Sequence, residues 1–186
     1  MEIWLARHLR SASGPKIMIG RSDPPLGPEA ALAAEAVKEA LAGAAFGRCC
    51  SSPLRRAVQT AALLTPLKPE LVEAFREIDL GAWEGLTGAE AKERNPDLWE
   101  ARGADPAGVA PPGGESLIGL SQRVWPAWEA IAEGPGRLVL VVAHRAVNQV
   151  ILAKIRGLDL SEAMAIEQPY GALTRILYSK GAFEIP

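Results

Sequence analysis

Histidine and cysteine are both scarce in this chain of 186 residues, which contains two of each. The cysteines, Cys49 and Cys50, are adjacent. Neighbouring side chains of an extended chain point to opposite faces, so a disulfide between them is disfavoured. Two histidines without a Cys-x-x-Cys pair do not supply the usual ligand set of a zinc site. We predict two buried thiols in a reducing compartment and no metal or other cofactor.

Long apolar runs and an excess of charge of one sign are also missing. The longest apolar runs, such as residues 138–143, fall far short of the roughly 20 residues of a membrane helix. The net charge of −2 gives no basic field that would attract nucleic acid or an acidic membrane. The chain start has no signal-peptide pattern. We expect a cytoplasmic protein without nucleic-acid or membrane partners.

The composition and the hydrophobic pattern predict one α/β domain over residues 1–186. Apolar residues make up 48% of the chain, enough for a sizeable core. Strand patterns alternate with helical ones, which predicts a three-layer sandwich with a mostly parallel central sheet and helices on both faces. Strands are predicted at 3–6, 48–52, 71–74 and 138–143, helices at 28–43, 52–64, 88–94, 116–132 and 145–157, and a hairpin turning at 179–181.

Two local predictions concern how the first helices begin and which side they bury. Ser52 fits the N-cap of the second helix, with Pro53 at its first helical position. In the first helix, the apolar residues that share one face at helical spacing are Leu32, Ala36, Val37, Ala40, Leu41 and Ala44.

Both histidines stand at the end of an apolar strand. His8 follows "WLAR" and His144 follows "LVLVVA", while a third strand leads into residues 51–56. Ligands of such folds bind at the carboxyl ends of the strands, so we expect these segments to meet. The guanidinium groups of Arg7 and Arg56 match phosphate oxygens. Arg56 also lies in the first turn of a helix, where free N–H groups favour an anion.

This set of side chains suits phosphoryl transfer through histidine. A neutral imidazole can attack phosphorus, and the charges of Arg7 and Arg10 would lower the pKa of His8 and favour the neutral form. The leaving alcohol then needs a proton, which a positioned carboxylic acid supplies with a rate gain of roughly 10²–10⁴. The segment "REIDLGAWEG" offers Glu77, Asp79 and Glu84.

Five motifs occur in an order that resembles the histidine phosphatase superfamily, also called the phosphoglycerate mutase-like family. They are "ARH", "SSPLRRAVQTA", "REIDLGAWEGLT", "PPGGES" and "VVAH", and the likeness extends from residue 1 to about residue 157. The stretch "RNPDLWEARGADP" is similar to the lid of that family. The resemblance therefore implies a phosphoglycerate mutase-like fold with a small lid-like segment at about 87–116.

The resemblance also implies the roles of individual residues. It implies that His8 becomes phosphohistidine, that Arg7, Arg56 and His144 hold the phosphate, and that Glu77 donates the proton. Glu84 is the second choice for the proton donor. Further candidate contacts with the substrate are Ser11, Arg21, Glu115 and Arg145.

The chain departs from the family pattern at three places beside these motifs. Leu9 replaces the usual glycine after the first histidine, Gly14 replaces a frequent asparagine, and Arg145-Ala146 replaces a Gly-Gly pair. We expect Leu9 to affect the fit of the substrate more than the chemistry. Arg10 and Arg145 would add positive charge at the mouth of the pocket and favour a substrate with a second anionic group.

We therefore predict a metal-independent phosphomonoesterase that acts on a small phosphorylated metabolite through phosphohistidine. A phosphoglycerate-type mutase is an alternative, although the mutases are generally longer and the compact chain favours hydrolysis. Another alternative is an inactive module that binds phosphate or a phosphopeptide. The C-terminal hairpin leaves a sheet edge that could pair with a second copy to form a homodimer.

Overall fold

The computed structural model describes residues 1–14 and 16–186. Within these residues one sheet is formed by β1 (Glu2–Arg7), β2 (Arg48–Ser51), β3 (Glu70–Leu71), β4 (Leu138–Ala143), β5 (Leu173–Ser179) and β6 (Ala182–Glu184). Across the sheet the order is β3-β2-β4-β1-β5-β6. The first four strands of this order are parallel, and the β5–β6 hairpin continues the sheet beyond β1 in antiparallel pairing. The mostly parallel sheet and the C-terminal hairpin are confirmed.

The helices cover both faces of the sheet. They are α1 (Ala30–Ala40), α2 (Arg55–Leu64), α3 (Gly88–Arg94), α4 (Pro96–Ala104), α5 (Leu117–Glu133) and α6 (Arg145–Ile155). Residues of α1 and α2 pack with Leu140 and Val142, while residues of α5 and α6 pack with Val139 and Val141. Successive strand side chains point to opposite faces, so a central strand covered on both sides is apolar throughout. The three-layer α/β sandwich is confirmed.

The buried face of α1 differs from the predicted one. Leu32, which was expected in the core, is 80% exposed, whereas Val37 and Leu41 are buried as predicted. The helix also buries Ala30 and Ala34, which lay outside the predicted face. Alanines lie on several sides of this helix, so the apolar pattern does not select one face. Close packing on the sheet selects it, because small side chains let a helix approach a strand layer.

The start of α2 was also predicted wrongly. The helix begins at Arg55 after an extended Leu54, not at Pro53. Ser52 is fully buried, and its Oγ accepts a hydrogen bond from the N–H of Leu54 at 3.3 Å. The same hydroxyl contacts His144, so it is committed to a partner from another strand and does not cap the helix.

Residues 87–116 contain two helices, of which one was predicted. Helix α3 begins with a capping box in which Thr87 and Glu90 satisfy each other's backbone N–H groups. Helix α4 begins at Pro96 and buries none of its residues, so it lacks the apolar stripe that predicts a helix. Trp99 of α4 packs on a small cluster that is separate from the main core. That this segment works as a lid stays a prediction.

Among the described residues, no helix combines the length and the apolar character that crossing a membrane requires.

Candidate active site

Three neighbouring parallel strands end at the same edge of the sheet, and each is followed by a residue of the site. Arg7, the last residue of β1, pairs with Ala143, the last residue of β4, so His8 and His144 leave the sheet side by side. The backbone N–H of His8 donates to the carbonyl of Ala143 over 3.0 Å. Ser52 follows β2 on the other side of β4. The expected meeting of these segments is therefore seen.

The two ring nitrogens of His8 have different partners. Nδ1 lies 2.6 Å from the carbonyl oxygen of Leu9, so Nδ1 carries the proton and donates it there. The unprotonated Nε2 accepts a hydrogen bond from Nε of Arg56 at 3.3 Å. Burial, and then the charges of Arg56 and Arg7, lower the pKa of His8 to about 3. The imidazole is neutral at physiological pH, and the Nε2 lone pair is the one that accepts the hydrogen bond from Arg56.

The charge of Arg56 lowers the pKa of His8, an effect that was predicted for Arg10. Arg56 is fully buried and contacts His8 directly. The side chain of Arg10 is 55% exposed and lies 4.0 Å from Glu29. Water screens a charge at such a position, so it contributes little at a buried imidazole.

His144 lies behind His8, with ring centroids 5.0 Å apart and an angle of 61° between the rings. The ring is completely buried, and its Nε2 lies 2.7 Å from Oγ of Ser52. Nδ1 has no hydrogen-bond partner among the described residues. Burial and the nearby His8 and Arg56 hold the pKa of His144 well below its usual value. His144 is not among the residues that line the cavity beside His8.

Arg7 is held by residues that the sequence analysis missed. Its guanidinium donates to the carbonyl of Gln168 and lies 3.9 Å from the centroid of the Tyr170 ring, a cation–π contact. The Tyr170 ring is also 5.6 Å from that of His8. Nε of Arg7 is buried and has no partner among the described residues. No motif in "EQPYGALT" pointed to this segment, because its contacts are all distant in sequence.

Glu77 places a buried carboxyl group at the same edge of the sheet. Its Oε1 accepts hydrogen bonds from the N–H of Ile78 at 3.0 Å and of Ala146, in the first turn of α6, at 3.2 Å. Burial raises the pKa of Glu77, and the hydrogen bonds and the charge of Arg56 lower it by less. A raised pKa favours the protonated form that a proton donor needs.

Glu115 supports the backbone that carries Glu77, whereas the sequence analysis suggested a substrate contact. Its two carboxylate oxygens each lie 2.8 Å from a nitrogen of Arg123. Arg123 in turn donates to the carbonyl oxygens of Ala74, Arg76 and Glu77 over 2.6 to 3.1 Å. Glu115 does not line the cavity at the site.

Glu84 holds the loop that positions Arg56. Its carboxylate accepts hydrogen bonds from the backbone N–H groups of Gly20, Arg21 and Ser22 at 2.9 to 3.3 Å. The carbonyl oxygens of Gly20 and Ser22 each accept a hydrogen bond of 2.7 Å from Arg56. Glu84 is thus occupied by the loop and does not line the cavity.

A cavity of about 710 Å³ opens beside His8. Of the candidate substrate contacts, Ser11 and Arg145 line it. Arg21 does not, and its guanidinium lies 3.2 Å from Asp79. Within residues 1–14 and 16–186, no three His, Cys, Asp or Glu side chains gather as a metal site. The apolar part of the wall includes Ile17, Met18, Leu80, Trp83, Trp99 and Met164.

The family is decided by a comparison with known protein families. The model of the histidine phosphatase superfamily (branch 1) matches residues 3–186. The chain belongs to the histidine phosphatase superfamily. It is 34% identical over 136 residues to 2-carboxy-D-arabinitol-1-phosphatase of Triticum aestivum, a match that covers 72% of this chain and 28% of that protein.

For two further relatives, the match covers most of the relative's own length. The 2,3-bisphosphoglycerate-dependent phosphoglycerate mutase of Rhizobium etli is 33% identical over 170 residues, covering 83% of this chain and 79% of that protein. The structure of a mycobacterial glucosyl-3-phosphoglycerate phosphatase superposes with a TM-score of 0.84 at 26% identity, covering 100% of this chain and 96% of that one. By contrast, the chain spans only 27–28% of several curated relatives it matches.

The histidine phosphatase superfamily usually has glycine where this chain has Leu9, and the structure accommodates the change. The Leu9 side chain is 2% exposed and packs in the core between the sheet and α1 and α2. Its N–H donates to Oγ1 of Thr60 at 3.0 Å, and its carbonyl receives Nδ1 of His8. The backbone of Leu9 therefore orients the imidazole while its side chain points away from the cavity.

Proposed function

We propose that this member of the histidine phosphatase superfamily is a metal-independent phosphomonoesterase that acts on a small phosphorylated metabolite through phosphohistidine at His8. The observation that carries the proposal is the state of the His8 ring. Its proton is held on Nδ1 by the carbonyl of Leu9, and its unprotonated Nε2 accepts a hydrogen bond of 3.3 Å from Arg56 beside the cavity. A bound phosphate oxygen would take over this hydrogen bond from Arg56 and release the Nε2 lone pair. A neutral, oriented nitrogen next to an anion-binding guanidinium is what attack on phosphorus requires.

In the first step the phosphate binds among Arg7, Arg56 and His144. The unpartnered Nε of Arg7 and Nδ1 of His144 support this position, because a phosphate oxygen would satisfy buried groups that otherwise lack partners. Nε2 of His8 attacks phosphorus, the bond between phosphorus and the ester oxygen breaks, and Glu77 gives its proton to the departing oxygen. The guanidinium groups stabilise the charge on the phosphoryl oxygens.

In the second step water replaces the enzyme nitrogen. Glu77, now a carboxylate, accepts a proton from the water as the oxygen attacks phosphorus, and the bond between phosphorus and Nε2 breaks. Inorganic phosphate leaves, and both His8 and Glu77 return to their starting protonation states. The same carboxyl thus acts first as acid and then as base.

The proposal is tested by hydrolysis of 4-nitrophenyl phosphate with and without a chelator. The His8→Ala variant should lose at least about 10³-fold in kcat/KM, as expected when a covalent nucleophile is removed. Arg55→Gln, which alters the exposed neighbour of Arg56, is the matched control and should keep its activity. Rapid quenching of the wild type should trap a phosphoryl group on His8. Activity that survives in His8→Ala, or that the chelator removes, would contradict the proposal.

A phosphoglycerate mutase is the second candidate, and the 33% identity to the Rhizobium etli mutase favours it. In that reaction another hydroxyl group receives the phosphoryl group in place of water. Incubation with 3-phosphoglycerate separates the two candidates: isomerisation without release of phosphate would replace the hydrolase by the mutase. If no ester turns over between pH 5 and 8 while phosphate still binds in calorimetry, the protein is an inactive phosphate-binding module.

A further inference from the structure

Outside the proposed phosphate site, one of the described cations that line the cavity is partly buried, whereas Arg10, Lys16 and Arg145 are exposed. Arg102 of α4 lines the cavity and is partly buried, and its hydrogen bond within the described residues goes to the carbonyl of Val109. The neighbouring acids are engaged elsewhere: Glu100 lies 3.9 Å from Lys92, and Asp105 accepts from a loop N–H. Partly buried charges are normally paired, so a lone guanidinium facing a cavity indicates a group that binds an anion.

Arg102 is separate from the cations of the phosphate site. The charges that affect His8 and Glu77 are those of Arg56 and Arg7, and Arg102 is not among them. Arg102 lies on α4, outside the segments that follow β1, β2 and β4. Among the described residues, the cations of the cavity that are at least partly buried therefore lie in two places, on the edge of the sheet and on α4.

Aromatic side chains lie beside Arg102. Trp99 is one helical turn before it on α4, and the ring of Trp83 is 5.3 Å from that of Trp99. Both tryptophans line the cavity. Its volume of about 710 Å³ is within the range of sites for drug-sized ligands and far exceeds the space that one phosphate needs. The cavity thus joins a phosphate site, an apolar wall and a second cation.

We propose that the cavity takes phosphomonoesters whose apolar or aromatic body carries a second anionic group, a carboxylate or a phosphate, and that Arg102 binds that group. This inference rests on the proposed phosphatase activity and adds the substrate class. Recognition of a second anionic group, which was predicted for Arg10 and Arg145, is thereby assigned to Arg102. Arg145 begins α6 directly after His144, which associates it with the phosphate site. Burial mainly lowers the pKa of Arg7, and the charge of Arg145 lowers it further.

The test compares esters that differ only in the second charge. Phenyl and biphenyl phosphates carrying a para carboxylate are compared with their carboxamides, which have nearly the same shape and no charge, and with the corresponding bisphosphates. We expect the wild type to prefer a charged ester in kcat/KM at one of the two lengths. Arg102→Gln should reduce that preference about 10- to 100-fold, since the loss of a hydrogen bond to a charged group weakens binding by about this factor. The bisphosphate arm shows which anion is preferred.

Three variants keep the result interpretable. Arg102→Lys retains the charge and should keep part of the preference for the charged ester. Arg94→Gln removes an exposed cation of α3 and should leave that preference unchanged. Arg145→Gln should lower kcat/KM for charged and uncharged esters alike. Thermal unfolding shows that each variant is folded, and the carboxamide esters report any general damage to the cavity.

Several outcomes would overturn the inference. It is wrong if the wild type has the same kcat/KM for the carboxylate, bisphosphate and carboxamide esters at both lengths. It is also wrong if Arg102→Gln lowers kcat/KM for all of these esters by the same factor, or if Arg145→Gln and not Arg102→Gln removes the preference for the charged ester. Failure of the wild type to hydrolyse any ester would count against the proposed phosphatase instead. In that case calorimetric binding of the same esters to wild type and Arg102→Gln still decides whether Arg102 recognises the second anion.

Discussion

The two ends of the cavity are built in different ways. At the edge of the sheet, His8, His144 and Glu77 are at most 6% exposed, and each is tied by hydrogen bonds to strand ends or to the start of a helix. At the other end, α4 buries none of its residues and is anchored through Trp99 to a small separate cluster. The groups proposed to react thus belong to the buried, hydrogen-bonded part of the fold, and the groups proposed to choose the substrate belong to its least buried part.

This difference has a physical reason. Phosphoryl transfer needs atoms held within a few tenths of an ångström, which neighbouring parallel strands with paired registers provide. Recognition of a varied organic group needs only a wall of suitable polarity. A helix that contributes little to the main core can change its sequence without large cost in stability. We therefore expect substitutions at the sheet edge to affect kcat and substitutions on α4 to affect KM.

The largest expected effect comes from Glu77→Gln at the sheet edge. This change keeps the size of the side chain and removes the proton, so kcat for phenyl phosphate should fall by roughly 10²–10⁴, the worth of a positioned acid. The loss should be smaller with 4-nitrophenyl phosphate, whose leaving group needs little protonation. Steady-state kinetics with both esters measures the difference.

Glu84→Gln is the control for this experiment, since Glu84 is the other candidate acid. Because Glu84 holds the loop that positions Arg56, its loss should lower kcat for both esters by the same factor. If Glu84→Gln shows the dependence on the leaving group and Glu77→Gln does not, the two assignments must be exchanged.

An intermediate effect is expected on stability as a function of pH. The pKa of His8 is about 3 in the folded protein and near 6.5 when unfolded, so between these values the unfolded state binds more protons. The contribution of His8 to the free energy of unfolding therefore falls as the pH is lowered from 7 towards 3, by about 2 kcal/mol between pH 7 and 5.

Urea unfolding of the wild type and of His8→Asn at pH 7 and pH 5 tests this contribution. The variant has no imidazole at this position, so its free energy of unfolding should fall by about 2 kcal/mol less over the same range. An equal fall in both proteins would mean that His8 is not held neutral by its surroundings.

The smallest effect is expected from Trp99→Ala on α4. An aromatic contact is worth about 1 kcal/mol, so KM for a biphenyl phosphate should rise about fivefold with kcat nearly unchanged. Trp125→Ala is the matched control, because Trp125 packs on Phe183 away from the cavity and should affect stability without changing KM. A larger effect of Trp99→Ala on kcat than on KM would remove the distinction between the two ends.

Much of the sheet edge could be predicted because its signals are local in sequence. Apolar runs that stop at His8 and His144, and a strand followed at once by the helix that carries Arg56, are patterns of adjacent residues. In a parallel sheet such strand ends lie at one edge, so the meeting of these segments could be expected. The pairing of β1 with β4, seen in the structure, places the two rings side by side. The resemblance to the superfamily then singled out Glu77 within its loop.

The remaining assignments depended on contacts between distant segments. Ser52 was predicted as a helix cap and is the partner of His144, while Arg21 and Glu115 were predicted to contact the substrate and pair with Asp79 and Arg123. Such polar side chains fit several local roles, and the partner that happens to lie near in space decides among them. The residues that the sequence analysis did not connect with the site for this reason are Gln168, Tyr170, Trp99 and Arg102.

By itself, the sequence determined the alternation of strands and helices, the superfamily and the two strand-ending histidines, because periodicity and motif order are properties of neighbouring residues. Only the tertiary structure decided that the Leu9 carbonyl sets the tautomer of His8, that Tyr170 covers Arg7, and that Arg102 lines the cavity without an acidic partner among the described residues. Each of these depends on the distance between atoms of separate segments. Packing of the whole chain sets such distances, and no local pattern records them.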